Sequence, residues 1–192
     1  MYSPDYIKRF KEGHGIKNEV KDLGEYAELV NGINEKLKEF NYYQEPNVTI
    51  ANVFYIAYVK EKSPFKVRNL CAVINFSADV KDIKRAKVLL DTIRRSLLNQ
   101  YGEAFLWKEL EIIYVILAEE NLFNVLKSDD GKVVDESGFT LNSLLGSFFI
   151  NRKSNDAFSH SSWGVYFSGK HFKELQKALE NWCAQKKAST AG

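Results

Sequence analysis

The sequence predicts an α+β fold in a single domain, with helices flanking a largely antiparallel, five-stranded sheet. The chain has 192 residues, 45% of them hydrophobic, which is enough for one core. Segments rich in β-branched and aromatic residues occur in pairs, and amphipathic helical segments separate these pairs. Strand pairs between helices are typical of α+β domains, whereas strict alternation of strand and helix indicates a parallel sheet.

The first part of the chain predicts an N-terminal arm, a long helix and two strands. Residues 1–15 form the arm, because Gly13 and Gly15 interrupt the helical pattern. From Ile16 to Phe40, apolar residues recur at steps of three and four, which predicts an amphipathic helix. Residues 48–60 predict one strand and residues 67–76 a second strand, paired with the first as an antiparallel hairpin.

The middle of the chain predicts two helices around a buried strand. Ser77 or Asp79 can cap a helix whose apolar stripe extends from Ile83 to Leu97. Residues 110–120 predict a strand in the sheet interior, because this segment is almost continuously apolar. A short helix follows at residues 120–128, and the polar residues 128–138 predict the most mobile loop.

The last part predicts two strands and a closing helix. Residues 143–151 and 157–169 are the strand candidates, and a helical stripe from Phe172 to Trp182 follows them. The domain then spans residues 16–185, and residues 186–192 form a disordered tail. The order α-β-β-α-β-α-β-β-α resembles that of roadblock, longin and profilin-like domains, a resemblance that implies helices around a five-stranded sheet.

The composition limits the cellular compartments and the classes of partner that we expect for the protein. The 27 basic and 25 acidic residues leave a net charge of +2, which gives no global attraction to nucleic acid or anionic membranes. Cys71 and Cys183 lack metal-ligand spacing and predict free, semi-buried thiols, with one long-range disulfide as the alternative. No segment approaches the roughly 18 apolar residues of a membrane span. We expect a cytoplasmic protein without membrane association, metal or cofactor.

One candidate ligand site is an anion-binding turn at the start of the last helix. Here a strand is predicted to end and a helix to begin. Free backbone amides and the lysine of the segment Ser168, Gly169, Lys170 and His171 can then converge on an anion. The chain has neither a GxxxxGK[ST] nor a GxGxxG motif. An N-cap role explains Ser168 without any ligand.

Catalytic residues stay unassigned, and the sequence favours no enzyme. Ser159, His160, Ser161 and Ser162 are adjacent, but alternation along a strand places His160 on the face of Ser162 and away from Ser161. Glu119 and Glu120 form the best acidic pair for a metal-dependent reaction, although they also suit the N-terminus of the short helix.

A cationic helix is the second candidate surface. Six cations occupy or flank the helix at residues 81–95: Lys81, Lys84, Arg85, Lys87, Arg94 and Arg95. Such a run is typical of a solvated helix face, and also of a docking surface for nucleic acid or an acidic partner.

The predicted function follows from two features of the sequence: it contains no catalytic or cofactor-binding signature, and it is rich in aromatic residues. Aromatic residues make up 14% of the chain, more than a small core readily hides, and a surplus indicates a contact surface. We expect a non-enzymatic protein-binding module that acts as a subunit or regulator of a larger assembly, or as a homo-oligomer. The alternative is a nucleic-acid-associated or nuclease-like protein that uses the cationic helix 81–95.

Overall fold

The computed structural model describes residues 26–45, 48–50, 53–60, 68–101, 110–134, 143–161 and 165–190. Within these ranges the chain forms four α-helices, one short 3-10 helix (Lys132–Val134) and seven strands. The helices are α1 (Ala27–Glu39), α2 (Ile83–Tyr101), α3 (Glu120–Ser128) and α4 (Val165–Thr190). The strands are β1 (Tyr43–Gln44), β2 (Val48–Ile50), β3 (Val53–Lys60), β4 (Arg68–Asn75), β5 (Leu110–Ala118), β6 (Ser143–Asn151) and β7 (Ala157–Ser161). The predicted arm, residues 1–15, lies outside the described residues.

The strands occupy six positions of one mixed sheet and follow each other in sequence order. Both β1 and β2 pair with β3, and these pairs are antiparallel, as are β3–β4 and β6–β7. The β4–β5 and β5–β6 pairs are parallel. The predicted α+β class and the hairpin of β3 and β4 are therefore confirmed. The five-stranded, largely antiparallel sheet is wrong in detail.

The parallel pairs arise from the helices that connect their strands. A helix between two neighbouring strands returns the chain to the end of the sheet where the first strand began. The α2 and α3 connections do this in succession and in the same direction across the sheet. Right-handed connections of this kind place both helices on one face, and the buried residues of α2 and α3 do share one hydrophobic cluster.

The opposite face of the sheet is covered by α1 and α4, whose buried residues form a second cluster with the strands. Because both faces are covered, residues 111–118 of the central strand β5 are all buried, which confirms the predicted interior position. The predicted stripes are buried as well, including Val30, Ile33 and Leu37 of α1 and Phe172, Leu175 and Leu179 of α4.

Helices α1 and α4 pack closely at Gly32. The indole of Trp182 lies over this glycine, and a Cβ atom on residue 32 would overlap the ring. Trp182 is buried, in agreement with its place in the predicted apolar stripe. Lys186 of α4 also pairs with Glu28 of α1, which lowers the pKa of that exposed carboxyl group through the hydrogen bond.

Three element boundaries differ from the sequence prediction. Residues 48–60 form two antiparallel strands, β2 and β3, instead of one. Helix α2 is capped by Asp82, which accepts a hydrogen bond from the Arg85 backbone N–H at 2.8 Å, and neither Ser77 nor Asp79 has this role. Helix α4 continues through residues 186–190, which were predicted to lie in the disordered tail.

Candidate functional site

Strand β7 forms one edge of the sheet. It pairs with β6 along one side, and no described strand pairs with its other side. Asn151 donates its backbone N–H to the Asp156 carbonyl at 2.8 Å, so these opposite residues form a hydrogen-bonded pair. Because hydrogen-bonded pairs alternate along an antiparallel ladder, Phe158 and His160 direct their backbone groups toward β6. Those of Ala157, Ser159 and Ser161 point outward.

One face of β7 packs toward α3. The ring of Phe158 stacks on Phe149 with centroids 4.5 Å apart, and it meets the edge of Phe123 at 5.3 Å. The His160 side chain lies against Gly131, where a Cβ atom would collide with it. Gly131 also has a φ of 74°, which favours glycine. These contacts hold β7 in place while Phe158 and His160 stay partly exposed.

The other face of β7 is tied to α4 by side-chain hydrogen bonds. Gln176 Nε2 donates to Ser159 Oγ at 2.6 Å and to Glu180 Oε1 at 2.8 Å. Ser159 and His160 project to opposite faces, so the imidazole cannot accept the Ser159 proton. The predicted separation of Ser161 from His160 agrees with alternation along β7. Ser162, which was predicted to share the face of His160, lies outside the described residues.

Beside the strand, Asp156 accepts a hydrogen bond from Lys187 Nζ at 2.5 Å. This bond, followed by one from Ser154, lowers the pKa of the Asp156 carboxyl group. The contact joins the start of β7 to the last turn of α4. The carboxylate of Asp156, just before β7, is therefore paired with Lys187. Strand β7 itself contains no acidic or basic residue other than His160.

The four residues of the predicted anion site lie together in α4. The helix begins at Val165, so Ser168 is inside the helix and is not its N-cap, and the strand predicted at residues 157–169 ends at Ser161. Lys170 is exposed, with its Nζ 4.0 Å from Glu174 Oε1. The anion-binding prediction for Ser168, Gly169, Lys170 and His171 therefore loses the strand-to-helix turn on which it depended.

The predicted cations are spread around α2 and the loop before it. Lys81, Lys84, Arg85, Lys87 and Arg95 are exposed, whereas Arg94 is half-buried. Arg85 pairs with Asp79 at 2.6 Å. The hydrogen bond from Ser77 is the main reason why the pKa of Asp79 is lowered, and Arg85 contributes less.

The outward face of α2 is not uniformly positive. Helical periodicity places Asp91 and the exposed Val88 on the same side as Lys84 and Arg95. A carboxylate and an apolar side chain thus interrupt the cationic surface.

Sequence reasoning missed a polar cluster at the carboxyl ends of β4, β5 and β6. Arg152, whose side chain is only 5% exposed, pairs with Glu119 at 2.8 Å and donates to Asn75 Oδ1 at 2.7 Å. Its guanidinium group also lies 4.4 Å from the centroid of the Tyr26 ring. Glu119 occupies the N-cap position of α3 but makes no side-chain cap hydrogen bond.

This cluster has the character of a structural junction. The sequence placed Glu119 at the end of its strand, but it did not indicate Arg152 as the partner. Arg152 follows β6, and only the parallel pairing of β5 with β6 brings the ends of these two strands together. In the described part of the chain, no group of three or more His, Cys, Asp or Glu residues is placed to hold a metal ion. The described helices also include none that is long and apolar enough to cross a membrane.

No family model, curated protein or solved structure matches the chain. The fold and its surfaces therefore provide the basis for a functional proposal.

Proposed function

We propose that the protein is a non-enzymatic protein-binding module that assembles through the outer edge of β7, with a second copy of the chain as its partner. The observation that carries this proposal is the uncharged backbone edge at Ala157, Ser159 and Ser161, with which no strand of the described residues pairs. An exposed edge strand is a template for another strand. Monomeric proteins commonly protect such edges with charged residues, proline or irregular pairing.

The opposite edge of the sheet differs in this respect. It consists of two short strands, β1 and β2, and Pro46 lies between them in the sequence. Proline lacks a backbone N–H and interrupts strand pairing. The contrast supports β7 as the edge that accepts a partner. The surplus of aromatic residues gives little support, because among the described large hydrophobic side chains only Tyr43 and Val88 are strongly exposed.

The sequence of β7 is suited to pairing with itself. With a twofold axis at Ser159, that residue lies opposite its own copy, and Ala157 lies opposite Ser161 of the second copy. Both pairs use the outward backbone groups. Phe158 then faces His160 of the second copy in a non-hydrogen-bonded pair, where side chains approach most closely. No like charges meet, as an isologous contact requires.

Sedimentation velocity at increasing concentration tests this proposal. We expect the wild-type chain to form dimers and Ser159→Pro to remain monomeric, because proline removes an outward N–H while leaving the pairing with β6 intact. Ser159→Ala is the matched control, since it loses the same hydroxyl group but keeps the N–H. We expect it to dimerise, with a dissociation constant at least about tenfold below that of Ser159→Pro.

Circular dichroism establishes that each variant folds. If Ser159→Pro does not fold, Ser161→Pro replaces it, because the exposed Ser161 also directs its N–H outward. A wild-type chain that stays monomeric at every concentration contradicts the proposal. So does a folded proline variant that dimerises as strongly as Ser159→Ala.

A cytoplasmic location is part of the same proposal. It is supported by the two thiols, Cys71 and Cys183, which are both free and buried. Burial raises the pKa of Cys183 to about 12 and that of Cys71 further. Both groups are thus protonated and poorly reactive at neutral pH.

The alternative function is association with nucleic acid through the cationic helix. The exposed Lys84, Lys87 and Arg95 favour it, because lysine and arginine neutralise phosphates. Asp91 and the pairing of Arg85 with Asp79 reduce the positive charge of this surface. We therefore rank it second.

A further inference from the structure

A row of polar residues crosses three neighbouring strands. In the sheet register, Lys60 of β3 lies beside Asn69 of β4, which lies beside Glu111 of β5. Alternation places this row on the face that α1 and α4 cover, next to Tyr58 and Cys71. The row stands at the amino ends of the parallel strands, away from Arg152 and from β7.

Two members of this polar region are buried without using their hydrogen-bonding groups. Asn69 has no exposed surface, and neither its Nδ2 nor its Oδ1 has a partner in the described structure. The hydroxyl group of Tyr58 is likewise buried, with no partner in the same ranges. Native proteins rarely leave such groups unsatisfied, because each one loses its bonds to water on burial. In the register of β3 and β4, Tyr58 is a diagonal neighbour of Asn69 on the same face. Two unsatisfied groups so placed indicate that something else completes them.

The row itself contains one acidic and one basic side chain. Glu111 is a carboxylate with 6% exposure, and Lys60 brings a positive charge at the neighbouring end of β3. Lys60 Nζ lies 5.8 Å from the centroid of the Tyr42 ring. Burial raises the pKa of Tyr42, and Cys71 and Glu111 raise it further, so this phenol is close to both. Within the row itself, the charges of Glu111 and Lys60 offset each other, which favours a neutral ligand over an ionic one.

We propose that the row is a binding site for a small, neutral ligand with an amide-type edge, as in a nucleobase. Such an edge places an N–H donor beside a carbonyl or ring-nitrogen acceptor. It complements the two unsatisfied atoms of Asn69, as an asparagine pairs with adenine. The Tyr58 hydroxyl group adds a third contact, and Glu111 accepts a further N–H. This site is independent of the proposed β7 interface.

Titration with adenosine, guanosine, cytidine and uridine tests the proposal, with thermal shift and ligand-observed NMR as readouts. We expect at least one nucleoside to raise the melting temperature of the wild-type chain. Asn69→Leu removes both amide atoms at similar volume, so it should fold at least as stably and lose the shift. Glu111→Gln should bind about tenfold more weakly, because it replaces a charged acceptor.

Ser147→Ala is the control. Ser147 Oγ is also buried with no partner in the described ranges, but it belongs to the opposite face and should not affect binding. If Asn69→Leu fails to fold, Tyr58→Phe keeps the shape of the site and should weaken binding. The proposal is overturned if no nucleoside binds, which leaves an ordered water as the partner of Asn69. Equal binding by the folded site variants and wild type also overturns it.

Discussion

Arg152 joins the ends of three strands through one guanidinium group. Its bonds to Glu119 and Asn75 connect the loop after β6 with the ends of β5 and β4, and the ring of Tyr26 covers the charge. A buried arginine in this arrangement depends on all of its acceptors. We therefore expect the junction to contribute to stability, and not merely to occupy the surface.

Replacing Arg152 by alanine should lower the free energy of unfolding by about 2 kcal/mol. Hydrogen bonds to charged groups contribute about 1.5–3 kcal/mol, and the half-exposed Glu119 regains water when its partner is lost. Urea unfolding measures this loss. The exposed Arg95 provides the control, since Arg95→Ala should stay within about 0.5 kcal/mol of wild type. Equal effects of the two substitutions would show that the junction is not stabilising.

Single residues were predictable where one physical factor decides their place. Leu37 and Leu179 are buried because helical periodicity alone places them on the apolar face. The cap of α2 was not predictable in this way. Ser77, Asp79 and Asp82 are all good caps, and only the local backbone geometry selects Asp82. Asn69 gave no signal, because an asparagine within an apolar strand is visible only after burial and register are known.

At the scale of elements, the packing of α1 on α4 depends on the absence of a side chain at residue 32. Gly32→Ala should lower the free energy of unfolding by about 1–2 kcal/mol. The overlap with Trp182 costs about 2–3 kcal/mol, and the helical preference of alanine returns roughly 1 kcal/mol. Chemical denaturation measures the net effect.

A second background separates these two contributions. With Trp182→Leu the obstructing ring is gone, so Gly32→Ala should now raise stability by up to about 1 kcal/mol through helical preference alone. A destabilisation of the same size in both backgrounds would rule out the indole contact as the cause.

Elements with strong periodicity were predictable, and their boundaries were less so. β5 and β6 were recognisable because apolar residues dominate them. The start of α4 was not, because valine, tyrosine and phenylalanine at residues 165–167 favour a strand locally, while the structure places them in a helix. The split between β2 and β3 was missed because only Ala51 and Asn52, two weak strand formers, interrupt a segment of otherwise strong strand preference.

At the scale of the whole molecule, the charge distribution gives a test of the alternative function. We expect only weak binding to duplex DNA, unchanged when Lys84, Lys87 and Arg95 are replaced by alanine together. A chain that uses these cations would instead lose affinity steeply with salt, and the triple variant would reduce that slope. Filter binding at several salt concentrations measures it. Replacing Lys170, Lys173 and Lys177 of α4 by alanine is the control with the same change in charge.

The sheet topology was only partly predictable. The order of elements indicated α+β, but it did not show which strands on either side of a helix are neighbours. Pairing β5 between β4 and β6 makes both contacts parallel. This choice depends on the long-range packing of α2 and α3 on one face, which no local pattern contains.

The two edges of the sheet have one further consequence. In the proposed dimer, the β7 edges of the two chains pair with each other, so neither edge is left to pair with a third chain. The ends of the joined sheet are then the interrupted β1 and β2 edges, which offer a poor template for another strand. Addition of chains to the sheet therefore stops at the dimer. An exposed edge strand in the monomer then leads to a closed dimer and not to a fibre.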